Sequence, residues 1–202
     1  MWEIVFPRKL FDDLRTFLFS SSPNENGCFL LGRSYEKEKS KVLIISKVLY
    51  SSKTSWNYFS GDSLEPTSSY INQAVVRADS ANESLIFIHT HPSSFHPVTF
   101  SAIDESSNKR LFANLSQILP DVPLFSLVLS QHEIFGVVYE RGRTQTINRV
   151  RISGKILYDY KVAKNKTVHS RKIIPMFDRQ VRMFGEDNQK KLQNLSIAIV
   201  GA

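Results

Sequence analysis

The chain has 202 residues, of which 42% are hydrophobic and 22% are charged, and its formal net charge is +7. This length supports one substantial hydrophobic core, and the single cysteine, Cys28, excludes an internal disulfide scaffold. No apolar run comes near the roughly 20 residues of a membrane span, and the N-terminus does not resemble a secretory signal. These features predict a cytoplasmic protein.

The first half of the chain predicts strands that alternate with amphipathic helices. In the first helix, every predicted inward position carries a large apolar residue: Leu10, Phe11, Leu14, Phe17 and Leu18. The predicted elements are a strand over 2–6, a helix over 8–19, strands over about 27–32 and 41–49 joined by a polar hairpin over 33–40, and a helix near 67–79.

A serine-rich segment with three aromatic residues, Trp56, Tyr58 and Phe59, separates the second strand pair from the second helix. It is predicted to lie outside regular structure. Such aromatic residues either form a satellite hydrophobic cluster or contact an extended peptide or a partner protein, and the satellite cluster is the simpler expectation.

The second half begins with the continuously apolar run Leu85–Ile88, which is typical of a fully buried strand. A helix follows over 101–115, with Ser101 or Thr99 as its cap and an apolar set made of Ile103, Leu111, Phe112 and Leu115. Further strands are predicted near 123–129, 133–140 and 146–152. The pattern indicates an α/β protein in which helices flank a mixed sheet.

Three side chains that commonly bind zinc lie within sixteen residues of one another, at the end of the buried strand and in the helix after it. His89 and His91 are two residues apart, so they share one face of the strand. Asp104 lies three residues after Ser101, so both face one side of the predicted helix. Two imidazoles and one carboxylate leave a fourth tetrahedral position for water, as in catalytic zinc sites.

Amide hydrolysis also needs a group that takes a proton from water and delivers it to the leaving nitrogen. Glu25 is the candidate, and it lies in a turn-prone loop that leads into an apolar strand ending at Gly32. The combination of Glu25, this strand, His89-Thr90-His91-Pro92 and Ser101-Ala102-Ile103-Asp104 resembles the JAMM/MPN+ metalloprotease family. All five functional positions of the family pattern are filled.

This resemblance implies that His89, His91 and Asp104 bind one zinc ion, that Glu25 acts as general base and then general acid, and that Ser101 stabilises the oxyanion. It also implies a JAB/MPN-like mixed sheet flanked by helices, in a cytidine-deaminase-like layout, over residues 1–153. The chain departs from the family pattern in residues 92–100, which form a longer loop than usual.

Cys28 and the other histidines have simpler interpretations than catalysis. Cys28 is expected to pack as a small apolar residue, because a cysteine protease would need a histidine that activates the thiol, and His89 and His91 are better explained as zinc ligands. His96 in the long loop, His132 in a predicted turn and His169 among basic residues are expected to be solvated.

Positive charge is concentrated in the C-terminal part of the chain. Residues 1–140 carry a net charge of −3, whereas residues 141–202 carry +10. The basic segment 154–175 is predicted to be a solvated linker or a contact for an acidic protein. It has no pattern that is typical of nucleic-acid binding.

A second resemblance covers residues 176–202. The helix-forming run Met176–Leu192 and the apolar run Leu195–Val200 before Gly201 resemble the start of a ThiF-type, ubiquitin-activating adenylation domain. The phosphate-binding loop of such a domain would need further glycines and a helix N-terminus. We therefore expect these residues to be part of a longer protein, and ATP to bind only in the part that follows.

Together the two resemblances imply a zinc-dependent peptidase or isopeptidase in a bacterial ubiquitin-like conjugation system. Its expected partners are a ubiquitin-like protein, as precursor or conjugate, and a conjugating enzyme, with no nucleic acid and no membrane. One alternative is a peptidase that acts on a sulfur-carrier protein. Another is a non-catalytic docking module of the MPN type, although its typical mark, missing metal ligands, is not found.

Overall fold

The computed structural model describes residues 1–38, 40–59, 64–92 and 97–163. None of the helices in these ranges is both long enough and apolar enough to cross a membrane. The helices are α1 (Arg8–Phe19), α2 (Ser68–Ala81), α3 (Ala102–Ile118) and a 3-10 helix at Lys53–Ser55. The strands are β1 (Trp2–Pro7), β2 (Gly27–Lys37), β3 (Ser40–Leu49), β4 (Trp56–Phe59), β5 (Leu64–Pro66), β6 (Ser84–Thr90), β7 (Leu124–Leu129), β8 (Ile134–Glu140), β9 (Arg143–Ser153) and β10 (Tyr158–Tyr160).

Seven of these strands form a closed barrel. β1 pairs in parallel with β3 on one side and with β9 on the other, so that Ile4 lies opposite both Leu43 and Val150. The circuit is completed in the order β3, β2, β6, β7, β8 and β9. Both sides of β1 are therefore hydrogen-bonded, and this strand has no free edge.

The predicted JAB/MPN-like mixed sheet flanked by helices, in a cytidine-deaminase-like layout, is wrong, because the parallel pairing of β1 with β9 closes the sheet into a barrel. Period-2 alternation in a sequence shows which side chains share a face but not which strands become neighbours. The pairing also joins two segments near opposite ends of the described chain, residues 2–7 and 147–153. The local pattern correctly predicted an α/β protein, but it could not predict closure.

The short strand β10 fills a gap in the barrel wall. β8 and β9 pair only through residues 137–140 and 143–146, and they separate towards the other end. β10 pairs with residues 150–152 of β9 there, and Val162 forms a bridge to Ile134 at the start of β8. Residues 158–163, which fall in the predicted linker, are thus part of the barrel. Residues 164–175 of that linker and the predicted adenylation fragment 176–202 lie outside the described residues.

Two apolar clusters stabilise the barrel from its two faces. The inner cluster takes side chains from all seven barrel strands and from α1, whose Phe11, Leu14 and Leu18 are buried as predicted. The outer cluster packs α2 and α3 against β2, β6 and β7. Side chains of β6 alternate between the two clusters: Ile86 and Ile88 face inward, whereas Leu85 and Phe87 face outward.

Most predicted elements are confirmed to within a few residues, and two local predictions are wrong. Residues 56–59, predicted to be irregular, form β4 and pair with β5, and the Trp56 ring lies 6.0 Å from the Tyr70 ring, between ring centroids. Trp56 thereby joins the outer cluster, whereas Tyr58 is exposed. Ile103, predicted to face the core, is also exposed.

Closure of the barrel predicts slow amide hydrogen exchange along both sides of β1. Successive amides of a strand point to opposite neighbours, so an open edge would leave every second amide of residues 3–6 in contact with water. We expect all of them to exchange slowly when exchange is followed residue by residue by NMR. Fast exchange of alternate amides in this strand would contradict the pairing with β9.

Candidate metal centre

The end of β6 places both histidines on the outer face of the barrel. β6 lies between β2 and β7, and His89 follows Leu85 and Phe87 on the outward-facing set. Although β6 ends at Thr90, the His91 backbone N–H donates to the Leu129 carbonyl oxygen at 3.0 Å. This bond extends the strand geometry by one residue. Both imidazoles therefore stay on one face, as their spacing predicts, and both are almost fully buried.

The N-terminus of α3 supplies the carboxylate. Ser101 caps the helix: its hydroxyl oxygen accepts a hydrogen bond from the Asp104 N–H, and the Ser101 N–H donates to Asp104 Oδ2 at 2.8 Å. This reciprocal capping box satisfies two N–H groups that would otherwise lack partners at the start of the helix. The Ser101 hydroxyl also donates to Asp104 Oδ2, at 2.8 Å. The orientation of Asp104 is thus fixed by the capping of its own helix.

His89, His91 and Asp104 bring three candidate ligand atoms close together. One donor atom from each residue lies within 4.8 Å of the other two. His89 Nε2 is 3.4 Å from Asp104 Oδ1, and His91 Nε2 is 3.2 Å from Asp104 Oδ2. Two ligand atoms that each lie about 2.0 Å from a zinc ion, at a tetrahedral angle, are about 3.3 Å apart. The two imidazole–carboxylate separations are close to this value, and nitrogen and oxygen donors are usual ligands of zinc.

The charge state of Asp104 also suits a cation. Burial acts to raise the pKa of this carboxyl, but the nearby imidazoles of His89 and His91 outweigh burial and hold the pKa well below its usual range. The carboxylate is therefore ionised at neutral pH. A half-buried anion between two imidazoles is a favourable ligand for a divalent cation.

Glu25 lies beside this group, on the His91 side. Its Oε1 is 3.5 Å from His91 Nε2, and only 3% of the residue surface is exposed. The next residue holds it there, because the Asn26 N–H donates to Thr90 Oγ1 and the Thr90 N–H donates to the Asn26 carbonyl oxygen. The Asn26 side chain donates to the Phe17 carbonyl oxygen near the end of α1. Glu25 is thus fixed next to the ligands without belonging to the group of three donors.

Gly27 allows β2 to approach His89 closely. Gly27 lies opposite His89 in the β2–β6 pair. A Cβ atom on this residue would lie 2.9 Å from the Ile88 carbonyl oxygen and 3.2 Å from His89 Cβ. Distances this short leave no room for a side chain, so glycine is a packing requirement of the site.

Two phenylalanine rings stack on His89. The Phe87 and Phe100 ring centroids lie 5.6 and 6.0 Å from that of His89, and both rings are inclined to the imidazole by 22°. Phe100 in turn contacts Phe135 edge to face, at 5.3 Å. These contacts restrict rotation of the His89 ring and separate it from water.

The structure brings all five residues predicted for the site, Glu25, His89, His91, Ser101 and Asp104, into one cluster at the rim of the barrel. The Ser101 hydroxyl donates a hydrogen bond to the Asp104 carboxylate, which is a candidate metal ligand. The oxyanion role of Ser101 stays a prediction. Four of the nine residues of the long loop, 93–96 with His96 among them, lie outside the described residues, as does His169, and His132 is exposed.

Sequence reasoning missed two contributors: the Asn26–Thr90 pair and the Phe100 ring. Thr90 offered a signal, since it is a polar residue that the alternation of β6 turns towards the barrel interior, where it must find a partner. Cys28 is fully buried, and burial raises the pKa of its thiol, which disfavours the thiolate that a cysteine protease would need.

Comparisons with known proteins leave the chain unassigned to a family. No protein-family model and no curated protein sequence matches it. Among solved structures, the chain is similar to a protein from Desulfitobacterium hafniense whose solution structure was a structural-genomics target. The identity is 16%, the match covers 76% of this chain and 94% of that chain, and the TM-score is 0.48. A similarity of this size does not bear on the chemistry of the site.

The close approach at Gly27 predicts that Gly27→Ala weakens metal binding. The added methyl group would push β2 from β6 beside His89, and we expect zinc affinity to fall by about tenfold or more, with a loss of roughly 1–3 kcal/mol in the free energy of unfolding. Competition with a chelating dye measures the first effect, and urea unfolding measures the second.

Gly154→Ala is the control, because its added Cβ would meet Arg8 Cβ at 3.1 Å and the Ile156 carbonyl oxygen at 4.0 Å, and neither residue belongs to the metal centre. Zinc affinity in this variant should equal that of the wild type. Unchanged affinity in Gly27→Ala as well would show that the distance between β2 and His89 is unimportant for the site.

Proposed function

We propose that this protein is a zinc-dependent peptidase or isopeptidase that cleaves the amide bond after the C-terminal tail of a ubiquitin-like protein. The observation that carries the proposal is the meeting of three ligand atoms, within 4.8 Å of one another, next to the buried carboxylate of Glu25. Two histidines and one carboxylate with an acidic residue beside them are the parts that metal-assisted amide hydrolysis requires.

In this proposal, His89, His91 and Asp104 would hold a zinc ion, whose Lewis acidity would acidify water and polarise a carbonyl group. Glu25 supplies the proton transfer. Its carboxylate takes a proton from the attacking water and delivers it to the leaving nitrogen. Glu25 Oε1 is close enough to the ligands for this role, because it lies 3.5 Å from His91 Nε2. The low exposure of Glu25 limits competition from bulk water.

Ser101 acts in this proposal through Asp104. Its hydroxyl and backbone N–H both donate to Asp104 Oδ2, which leaves Oδ1 facing His89. Such second hydrogen bonds orient a ligand and raise metal affinity. We therefore infer that loss of the Ser101 hydroxyl lowers the affinity for metal as well as the rate of cleavage.

The substrate class rests on the sequence resemblances. The motif around Glu25, His89 and Asp104 is similar to that of proteases that remove ubiquitin-like proteins, and residues 176–202 are similar to the start of a domain that activates them. A peptidase that exposes the C-terminal carboxylate of a ubiquitin-like protein, or that reverses its attachment, would act on the same tail as the activating domain. The fold does not support this choice of substrate, because the expected JAB/MPN layout is not observed.

The role of Glu25 predicts that Glu25→Gln abolishes cleavage but retains zinc. An amide cannot accept and return the proton, so we expect turnover to fall by at least about a hundredfold, while the three ligands are unchanged. Turnover is measured on a tail-extended ubiquitin-like precursor, an isopeptide-linked conjugate and a sulfur-carrier protein extended by one amino acid. Zinc content is measured on the same preparations.

The matched control is Glu83→Gln, which changes a second buried glutamate, at the start of β6 and away from the site. Its turnover should equal that of the wild type. Undiminished turnover in Glu25→Gln would exclude Glu25 as the proton carrier. Zinc binding without cleavage of any substrate by the wild type would favour the docking module, and cleavage of the sulfur-carrier protein alone would favour the sulfur pathway.

A further inference from the structure

A second buried acidic residue, Glu133, lies at the same end of the barrel as the metal centre. It immediately precedes β8, and only 3% of its surface is exposed. Its Oε2 accepts a hydrogen bond from the Val98 N–H at 3.3 Å, and its Oε1 forms an ion pair with the Lys161 ammonium group. Glu133 thus joins two segments that are distant in sequence.

The first of these segments, residues 98–101, contacts two of the three candidate metal ligands. We call it the ligand arm. Its Phe100 stacks on His89, and its Ser101 donates to the Asp104 carboxylate. At the other end, Val98 is buried in a small cluster with Val128, Phe135 and Ala163. The arm is therefore held between its hydrogen bond to Glu133 and its contacts with the ligands.

The second segment, residues 161–163, is held against the start of β8. The Ile134 N–H donates to the Lys161 carbonyl oxygen at 3.1 Å, and the Ala163 N–H donates to the Ile134 carbonyl oxygen at 2.9 Å. These bonds place the Lys161 side chain beside Glu133. The side chain itself is largely exposed, at 63%. Lys161 therefore supplies the charge that a buried carboxylate needs while its own ammonium group stays hydrated.

We propose that Glu133 is a positioning residue for the metal centre and that Lys161 is required to keep it in place. Without Lys161, the Glu133 carboxylate would lose this ion pair and would turn towards water, which releases the Val98 N–H. The ligand arm would then loosen, and Phe100 and Ser101 would no longer fix His89 and Asp104. The inference rests on the proposed metal site and extends it to the segment that follows β10.

The chain provides a matched control for this ion pair. Arg33 and Glu83 form a second pair of an exposed cation and a buried carboxylate, with side-chain exposures of 63% and 9%, compared with 63% and 3% for Lys161 and Glu133. It lies at the other end of β6, beyond Ser84. Arg33→Met should therefore affect stability in the same way as Lys161→Met without disturbing the ligand arm.

The test is a titration of the metal-free full chain with Co²⁺ alone, followed by the visible absorption of the bound ion. We expect Lys161→Met to bind Co²⁺ at least about tenfold more weakly than the wild type, with altered absorption bands, because the orientation of two ligands changes. Lys161→Arg should restore both affinity and bands, and Arg33→Met should leave both unchanged. Thermal unfolding of each metal-free variant checks that it is folded.

Should Lys161→Met fail to fold, the double variant Glu133→Met, Lys161→Met carries the same prediction, because it removes both charges of the ion pair together with the acceptor of the Val98 N–H. The role of Glu133 would be overturned if Lys161→Met, or the double variant, bound Co²⁺ as tightly as Arg33→Met does. That result would leave the metal site intact. A wild-type chain that binds neither Co²⁺ nor Zn²⁺ would overturn the proposed metal site itself, and this inference with it.

Discussion

The parallel pairing of β1 with β9 is the interaction on which the other features of the fold depend. It joins the start of the described chain to residues 147–153 and turns a twisted sheet into a barrel. Closure encloses the inner cluster, to which α1 contributes, and it fixes β6 in the wall opposite. The same closure leaves the gap between β8 and β9 that β10 and residues 161–163 fill. The ion pair at Glu133 is thus a consequence of how the barrel closes.

The candidate metal centre arises where two local rules of structure meet at the rim of this barrel. Strand alternation places His89 and His91 on one face, and helix capping aims Asp104 from the N-terminus of α3. Neither rule needs a metal ion in order to operate. The ligand atoms are therefore preorganised by ordinary backbone hydrogen bonding, which lowers the entropic cost of binding an ion. The buried Glu25 and the stacked Phe100 complete a site in which bulk water has little access.

The sequence was sufficient for those parts of the site that local rules control. The two-residue spacing of the histidines, the capping serine and the continuous apolar run before them predicted the element that carries each residue. Closure of the barrel could not be predicted, because β1 and β9 are far apart in the sequence and alternation does not identify strand neighbours. Glu133 was hidden for a related reason: its partners, Val98 and Lys161, come from separate segments that only the folded barrel brings together. Ile103 shows the reverse error, where an apolar residue at a helical spacing proved to be exposed.

The central claim is that His89, His91 and Asp104 hold a zinc ion, and metal analysis combined with X-ray absorption tests it most directly. The account predicts about one zinc per chain with two imidazole nitrogens and carboxylate oxygen as ligands at about 2.0–2.2 Å, lost in His89→Ala but retained when the exposed His132 is changed to Ala. A chain that binds no zinc after zinc is added, or that keeps its zinc in His89→Ala, would contradict the account.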